Sequence, residues 1–194
     1  MFGGSFNPPH LGHLKLVEKV VNDLSLDRVI IMPTYSTPLK DNSEFADAEL
    51  RLEMCRLNFE NTEKAEVSDL EIKREGKSFT YLTLNSLKES YPDDELFLIV
   101  GADMYMTLQN WKNPDEIFKL AKIIVVPRNG GDYDLISQKK LLSERGCVSY
   151  LLDKPVYDVS STEIRNKLRS GDEVGSLIAP KVLEFIKNEC LYGI

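Results

Sequence analysis

The sequence is poor in the residues that build disulfides, zinc sites and membrane spans. Among its 194 residues are only two histidines, one tryptophan and three cysteines, Cys55, Cys147 and Cys190. The cysteines lie far apart without CxxC spacing, which argues against a disulfide framework or a zinc ribbon and predicts reduced thiols. No apolar run approaches the roughly 20 residues that cross a bilayer, and the N-terminus lacks the basic and apolar regions of a signal peptide. We therefore expect a cytoplasmic protein.

Basic residues are also in deficit, with 24 Lys and Arg against 31 Asp and Glu and a formal net charge of −7. A surface for a long nucleic acid would need a basic stripe, so we expect a small nucleotide partner, no nucleic-acid polymer and no membrane. A homo-oligomer is compatible with this composition. The length suits one domain over residues 1–194, with 160–194 as a C-terminal helical part.

Short apolar runs alternate with amphipathic stretches along the chain. The runs predict buried parallel strands at 28–33, 65–70, 96–100, 122–126 and 148–152. The stretches predict helices near 8–24, 47–58, 80–90, 135–145, 160–171 and from 180 onward. Residues 71–76 are expected to continue the strand at 65–70 in an exposed position and to end in a turn. This alternation predicts an α/β fold, a Rossmann-like, doubly wound and mainly parallel sheet with helices on both faces.

The first fourteen residues have the composition of a phosphate cradle. Gly3 and Gly4 let backbone N–H groups approach a ligand, and the helix that follows adds unpaired N–H groups and the positive end of its dipole. Asn7 is expected to cap this helix, and the first acidic residue is Glu18, so local repulsion of an anion is weak. The alternative is a plain strand-to-helix turn. Taken alone, the apolar lead at 1–2 is too short for a central strand, yet the turn chemistry that follows is typical of the passage from a first strand to a helix.

Both histidines of the protein, His10 and His13, lie in this segment. At the start of a helix their spacing of three lets them point the same way and donate N–H bonds to phosphate oxygens. A metal site is the rival interpretation, but zinc needs further ligands, and no other His and no nearby Cys is present. Neither the Walker pattern nor GxGxxG occurs, so a P-loop kinase or a dinucleotide oxidoreductase is not indicated.

Two later segments carry weaker signals. Ser160 and Glu163 fit a capping box that opens a helix ending at Gly171. Gly101-Ala102-Asp103 directly follows a predicted strand, the place where ligands gather in open α/β sheets. Taken alone, the first is a helix cap and the second a turn with a carboxylate.

Together these segments resemble a known superfamily. GGSFNPPHLGHL at 3–14 is similar to the first signature of the HxGH nucleotidyltransferases, (T/H)xGH, and SSTEIR at 160–165 to their second signature, SSTxIR. Gly101 to Met104 followed by Trp111, and the ending at 177–192, extend the likeness over nearly the whole chain. The pattern resembles the bacterial nicotinate-nucleotide adenylyltransferases, which join nicotinic acid mononucleotide to the AMP part of ATP.

The resemblance implies roles at matching positions. His10, His13 and Arg165 would be catalytic and would contact or balance the charge of the ATP phosphates. The remaining residues expected to bind ATP are Gly3, Gly4, Ser5, Phe6, Gly12, Gly101, Asp103, Ser160, Ser161 and Thr162. The alternative for the second signature is a purely structural role, with a helix cap followed by a surface arginine.

Three further positions would bind the mononucleotide, with Trp111 stacking on the nicotinate ring and Thr80 near its carboxylate. Lys40 matches a basic loop position, although the family commonly has His before it and this chain has Leu39. The alternatives are structural: Trp111 in the core, Thr80 as an ordinary N-cap and Lys40 as a solvated side chain.

The implied reaction is in-line attack by a phosphate oxygen of the mononucleotide on the α-phosphorus of ATP, forming nicotinic acid adenine dinucleotide and pyrophosphate in NAD biosynthesis. Mg²⁺ would bridge phosphates, and no protein side chain is expected to hold it. Two rivals remain: a transferase that uses nicotinamide mononucleotide or another phosphate-bearing acceptor, and a nucleotide-binding sensor without turnover.

Overall fold

The computed structural model describes residues 1–38, 45–127, 133–153 and 159–194. The chain divides into two compact units. The middle unit comprises Met1–Gly3 and Ser78–Val156, and the outer unit comprises Gly4–Lys77 and Tyr157–Ile194. A single domain over 1–194 stays a prediction.

The strands of the described residues form one parallel sheet. They are β1 (Phe2–Gly4), β2 (Val29–Pro33), β3 (Ala65–Val67), β4 (Phe97–Gly101), β5 (Lys122–Val126) and β6 (Ser149–Leu151), in the order β3-β2-β1-β4-β5-β6. This order runs outward from β1 in both directions. Crossovers between parallel strands are right-handed. Strands added on one side of β1 therefore place their connecting helices on one face of the sheet, and strands added on the other side place theirs on the opposite face. The predicted doubly wound, Rossmann-like fold is confirmed.

Continuous burial explains why the predicted strands form. β2 is buried at all five positions and β5 at four, as expected of parallel strands covered on both faces. β1 has three residues, yet it is central. Phe2 is in register with Ile99, whose N–H donates to the Met1 carbonyl at 2.9 Å, and the Gly4 carbonyl accepts the N–H of Thr34 at 2.9 Å. The length of the lead alone was misleading, whereas the expected passage from a first strand to a helix is present.

The helices agree with the amphipathic pattern at most positions. They are α1 (Leu11–Leu24), α2 (Ala48–Phe59), α3 (Leu70–Arg74), α4 (Thr80–Ser90), α5 (Ala102–Tyr105), α6 (Pro114–Leu120), α7 (Leu135–Ser143), α8 (Ser161–Ser170) and α9 (Pro180–Asn188), with 3₁₀ turns at Leu108–Asn110 and Leu191–Gly193. Within the described ranges, no helix combines the length and apolar character needed to cross a membrane.

The prediction that residues 71–76 continue an exposed strand is wrong, because most of this stretch belongs to α3, whereas the turn predicted at its end is present at Glu75 and Gly76. The hydroxyl of Ser68 accepts the N–H of Leu70 at 3.3 Å as the helix begins. Ile72 is buried in α3, and the helix ends where Glu75 and Gly76 take positive φ values of 57° and 68°. α3 thus buries Glu71 and Ile72, in place of the exposed strand that the polar sequence suggested.

Each unit has its own apolar core. The middle-unit core includes Leu84, Leu98, Val100, Tyr105, Leu108, Ile117, Ile123 and Val125. The outer-unit core includes Met54, Ile164, Leu168, Val174, Ile178, Val182 and Ile186. Because the outer-unit core joins α2, α8 and α9, the helix that carries the second signature has a fixed position. The cysteines are unbridged, and only Cys190 is exposed.

Candidate active site

The turn that joins β1 to α1, residues 5–10, which we call the signature turn, has a constrained backbone at Phe6. Its φ is 46°, in the left-handed region where bulky residues rarely occur, at a cost on the order of 1–3 kcal/mol. The Phe6 ring is 1% exposed. A Cβ at Gly4 would lie 3.2 Å from ring atoms Cε2 and Cζ. Glycine at position 4 is therefore explained by close packing against Phe6.

The two histidines lie together at the start of α1. Their ring centroids are 3.7 Å apart with planes at 25°, and the Phe6 ring meets His13 edge-on at 4.9 Å. The backbone N–H of His10 donates to His13 Nδ1 at 3.2 Å. In the neutral His13 ring the proton therefore lies on Nε2, which can donate to a ligand. The helix cap is His10, so the prediction that Asn7 caps α1 is wrong.

The second signature begins α8 as predicted. The Ser160 hydroxyl accepts the N–H of Glu163 at 3.1 Å, and Gly171 ends the helix in the left-handed conformation. The hydroxyl of Ser161 donates to the Pro8 carbonyl at 2.9 Å. The N-terminus of α8 therefore contacts the signature turn directly, although the two hydrogen-bonded residues are 153 positions apart in the chain.

Arg165 makes the second link between the signatures. Its Nη1 donates to the Asn7 carbonyl at 2.9 Å, and its Nη2 lies 3.5 Å from the Thr162 hydroxyl. The residue is 9% exposed, so the alternative of a surface arginine is wrong. A guanidinium held beside the signature turn suits an anionic ligand. The contact of Arg165 with phosphate stays a prediction.

The other predicted residues of the first signature occupy different environments. Gly3 is exposed in β1, Ser5 is half-buried, and Gly12 is buried in α1. Their contact with ATP stays a prediction. Lys40, with its neighbour Leu39, lies outside the described residues.

In the middle unit, the predicted ligand residues lie beyond the end of β4 and at the start of α4. Gly101 ends β4 and precedes α5, whose first turn holds Asp103. Thr80 is the first residue of α4 and Phe79 is the N-cap, so the N-cap alternative for Thr80 is wrong. Their contacts with ribose and nicotinate stay predictions.

Trp111 directly follows the 3₁₀ turn at Leu108–Asn110 and packs against the middle-unit core. Its Nε1 is buried and has no hydrogen-bond partner among the described residues. The side chain is thus half-buried against the core and carries a polar atom that a ligand or water can satisfy, and its stacking on nicotinate stays a prediction.

Two residues that contact the signature turn were not predicted from the sequence. They are Arg51 and Tyr192, both in the outer unit. A signal for Arg51 exists in its spacing, since it precedes Met54 and Cys55 by three and four positions and so shares the buried face of α2. No comparable local signal marks Tyr192. Among the described residues, no group of three or more His, Cys, Asp or Glu is placed to hold a metal ion.

Comparison with known proteins identifies the family. Residues 1–167 match the cytidylyltransferase-like family. The chain is 39% identical over 194 residues to a probable nicotinate-nucleotide adenylyltransferase of Clostridium tetani, covering 99% of this chain and 97% of that one. It is 35% identical over 192 residues to the nicotinate-nucleotide adenylyltransferase of Bacillus subtilis, covering 99% and 96%. The chain belongs to the nicotinate-nucleotide adenylyltransferase family. It is thus a nucleotidyltransferase.

Solved structures support the fold of this adenylyltransferase. The nicotinic acid mononucleotide adenylyltransferase of Plasmodium falciparum complexed with NaAD aligns with a TM-score of 0.79 at 19% identity, covering 98% of this chain and 95% of that one. The same enzyme complexed with APC gives 0.78 at 20%, covering 98% and 94%. At such identities the likeness concerns the fold alone.

Removing the Ser160 cap should lower the stability of this adenylyltransferase. Ser160→Ala deletes the acceptor of the Glu163 N–H and should cost about 1 kcal/mol, whereas Ser160→Gly should cost only a few tenths. For a chain of this length, 1 kcal/mol corresponds to a shift in Tm of about 2–4 °C. Scanning calorimetry of both variants measures the difference. Equal Tm values for Ser160→Ala and the unaltered protein would contradict the capping role.

Proposed function

We propose that this adenylyltransferase transfers AMP from ATP to nicotinic acid mononucleotide, with release of pyrophosphate and nicotinic acid adenine dinucleotide. One observation carries the proposal: the two signatures meet through the hydrogen bonds from Ser161 to Pro8 and from Arg165 to Asn7. The names of the relatives that match over 99% of the chain agree with it. We place the reaction in the cytoplasm, within NAD biosynthesis.

The proposed chemistry is a direct displacement. A phosphate oxygen of the mononucleotide attacks the α-phosphorus of ATP, and the bond to pyrophosphate breaks. Because the acceptor phosphate is already ionised at neutral pH, the reaction needs no protein nucleophile. Catalysis then consists of holding two anions in line and stabilising the charge that develops between them.

The outer-unit residues supply donors for that charge. His13 donates from Nε2, Arg165 adds a fixed positive charge, and the first N–H groups of α1 and α8 add the positive ends of two helices. His10 supports the His13 ring through their stacked contact. Each of these roles is proposed from geometry and residue type.

The chemistry of these donors also bears on Mg²⁺. Imidazoles, hydroxyls and a guanidinium suit phosphate oxygens better than a hard cation, which prefers carboxylate, phosphate and water oxygens. We propose that Mg²⁺ enters with ATP, held by phosphate oxygens and waters. When bound, it offsets phosphate charge.

Replacement of Trp111 should mainly raise the KM for the mononucleotide. Stacking of an aromatic pair adds about 0.5–1.5 kcal/mol beyond area burial, so the loss predicts a rise of about 2- to 10-fold, with little change in kcat. Trp111→Ala tests the loss of the ring. Trp111→Leu keeps an apolar side chain against the core and has no ring to stack, so it separates binding from stability. An unchanged KM in a folded Trp111→Ala enzyme would remove Trp111 from the pocket.

Pyrophosphate release tests the function directly. The purified protein is mixed with ATP, Mg²⁺ and either nicotinic acid mononucleotide or nicotinamide mononucleotide, and kcat/KM is measured for each. We expect the nicotinic acid form to give the larger value. A larger value for the amide would make the protein a nicotinamide mononucleotide transferase. ATP binding without release of pyrophosphate from ATP in the presence of either acceptor would make it a sensor.

A further inference from the structure

A buried arginine holds the signature turn from the side of α2. Arg51 is 1% exposed, and its guanidinium donates to three backbone carbonyls. Nη1 donates to Ser5 at 2.8 Å, Nη2 to Tyr35 at 3.0 Å and Nε to Ala46 at 2.9 Å. One planar group therefore ties the signature turn to the chain after β2 and to the chain before α2. A lysine ammonium cannot reproduce three donors in these fixed directions.

The side chain of Asn7 holds the same turn two residues further on. Its Oδ1 accepts the N–H of Ala46 at 3.0 Å and the hydroxyl of Tyr192 at 2.8 Å. Burial raises the pKa of Tyr192, so the hydroxyl remains protonated and able to donate at neutral pH. Ala46 is thus bound through its N–H to Asn7 and through its carbonyl to Arg51. Arg51 and Tyr192 belong to one hydrogen-bond network.

The residue between the two bound positions is Phe6, which has the left-handed backbone. Such a conformation persists where its surroundings over-determine it. Here the Ser5 carbonyl is held by Arg51, the Asn7 side chain by Ala46 and Tyr192, and the Asn7 carbonyl by Arg165. The network therefore holds the peptide group before Phe6 and both the side chain and the carbonyl of the residue after it, and the Phe6 ring contacts His13.

We propose that Arg51 is a positioning residue for adenylyl transfer, which together with Tyr192 holds residues 5–7 in the orientation that presents their backbone N–H groups and His13 to the ATP phosphates. This inference rests on the function proposed above. Arg51 acts through the turn, from a buried place behind it, so it should affect the alignment of the reacting groups more than the affinity for ATP.

Arg51→Lys tests the proposal because it keeps a positive charge and removes the three-way geometry. A misplacement of about 1 Å can cost on the order of 10²-fold in rate, so we expect kcat per folded enzyme to fall at least about 10-fold. The dissociation constant for ATP should change less than about 3-fold. The matched control is Arg56→Lys on the same helix, where the exposed arginine pairs with Glu53 at 3.2 Å, and kcat should not change.

Tyr192→Phe is the second variant and decides the question if Arg51→Lys does not fold. It removes one hydroxyl and keeps the ring, so we expect kcat to fall about 3-fold, while the loss of one neutral hydrogen bond lowers Tm by only about 2–4 °C. In the double variant the two losses should not add, because both act on one turn.

Each outcome of these assays bears on Arg51. A fall in kcat with an unchanged ATP dissociation constant supports positioning. A lower Tm with unchanged kcat per folded enzyme, or equal losses of kcat and ATP affinity, would overturn it. If Arg51→Lys does not fold, an unchanged kcat in Tyr192→Phe would overturn it as well. Failure of the proposed function is a separate result, because it is seen as absence of pyrophosphate release from the unaltered enzyme.

Discussion

Replacing His13 by alanine should lower kcat for pyrophosphate release by about 10²- to 10³-fold, the usual effect of removing one donor to a transition-state oxyanion. The dissociation constant for ATP should change little. The reason is that charge on the transferring phosphoryl group develops during the displacement, so a donor from His13 Nε2 gains most of its strength in the transition state. Steady-state kinetics and calorimetric titration with ATP measure the two quantities. Comparable losses in both would contradict this role.

Two conservative variants identify the nitrogen that acts. The backbone N–H of His10 occupies His13 Nδ1, leaving Nε2 to donate. His13→Gln can place an amide N–H where Nε2 lies, whereas His13→Asn can place an acceptor where Nδ1 lies. We expect His13→Gln to retain more kcat than His13→Asn, and His13→Asn to retain more of the Tm. The reverse order in kcat would mean that the bond to His10, rather than a donor to phosphate, carries the effect.

Removal of the Arg165 guanidinium should also lower kcat, by about 10²-fold, because the loss of one fixed donor near developing charge has that size. Arg165→Ala also leaves the Asn7 carbonyl without the Nη1 donor at 2.9 Å. This loss should lower the free energy of unfolding by about 1–3 kcal/mol. Urea denaturation measures this second loss. The two effects have different origins, one in the transition state and one in the folded chain.

Arg165→Lys separates charge from geometry. Lysine retains the positive charge but lacks the planar set of donors of the guanidinium. The kcat should therefore be about 10-fold higher than in Arg165→Ala, while the free energy of unfolding recovers only in part. Arg169→Lys, on the exposed side of the same helix, is the matched control and should leave kcat unchanged. Full activity in a folded Arg165→Ala enzyme would exclude Arg165 from the catalytic group.

The fold was predictable where its signals are local. β2 and β5 are continuous apolar runs, and α8 begins at a serine cap and ends at a glycine, so neighbours within a few residues specify these elements. α3 was missed because five residues are too few to show a helical period, and the burial of Glu71 and Ile72 is not visible in the local sequence. The cap of α1 was misplaced because Asn7, a good cap residue, is instead hydrogen-bonded to Ala46 and Tyr192.

The sequence by itself determined the family, the alternation of strands and helices, and the two signatures, because each of these is written in short segments whose residue types carry the chemistry. Only the tertiary structure decided that Ser161 and Arg165 bind the carbonyls of the first signature, that Arg51 is buried against Ser5, and that Tyr192 reaches Asn7 across 185 positions. The physical reason is that a hydrogen bond between distant segments depends on the packed path of the chain between them. No local sequence pattern around either partner identifies the other one.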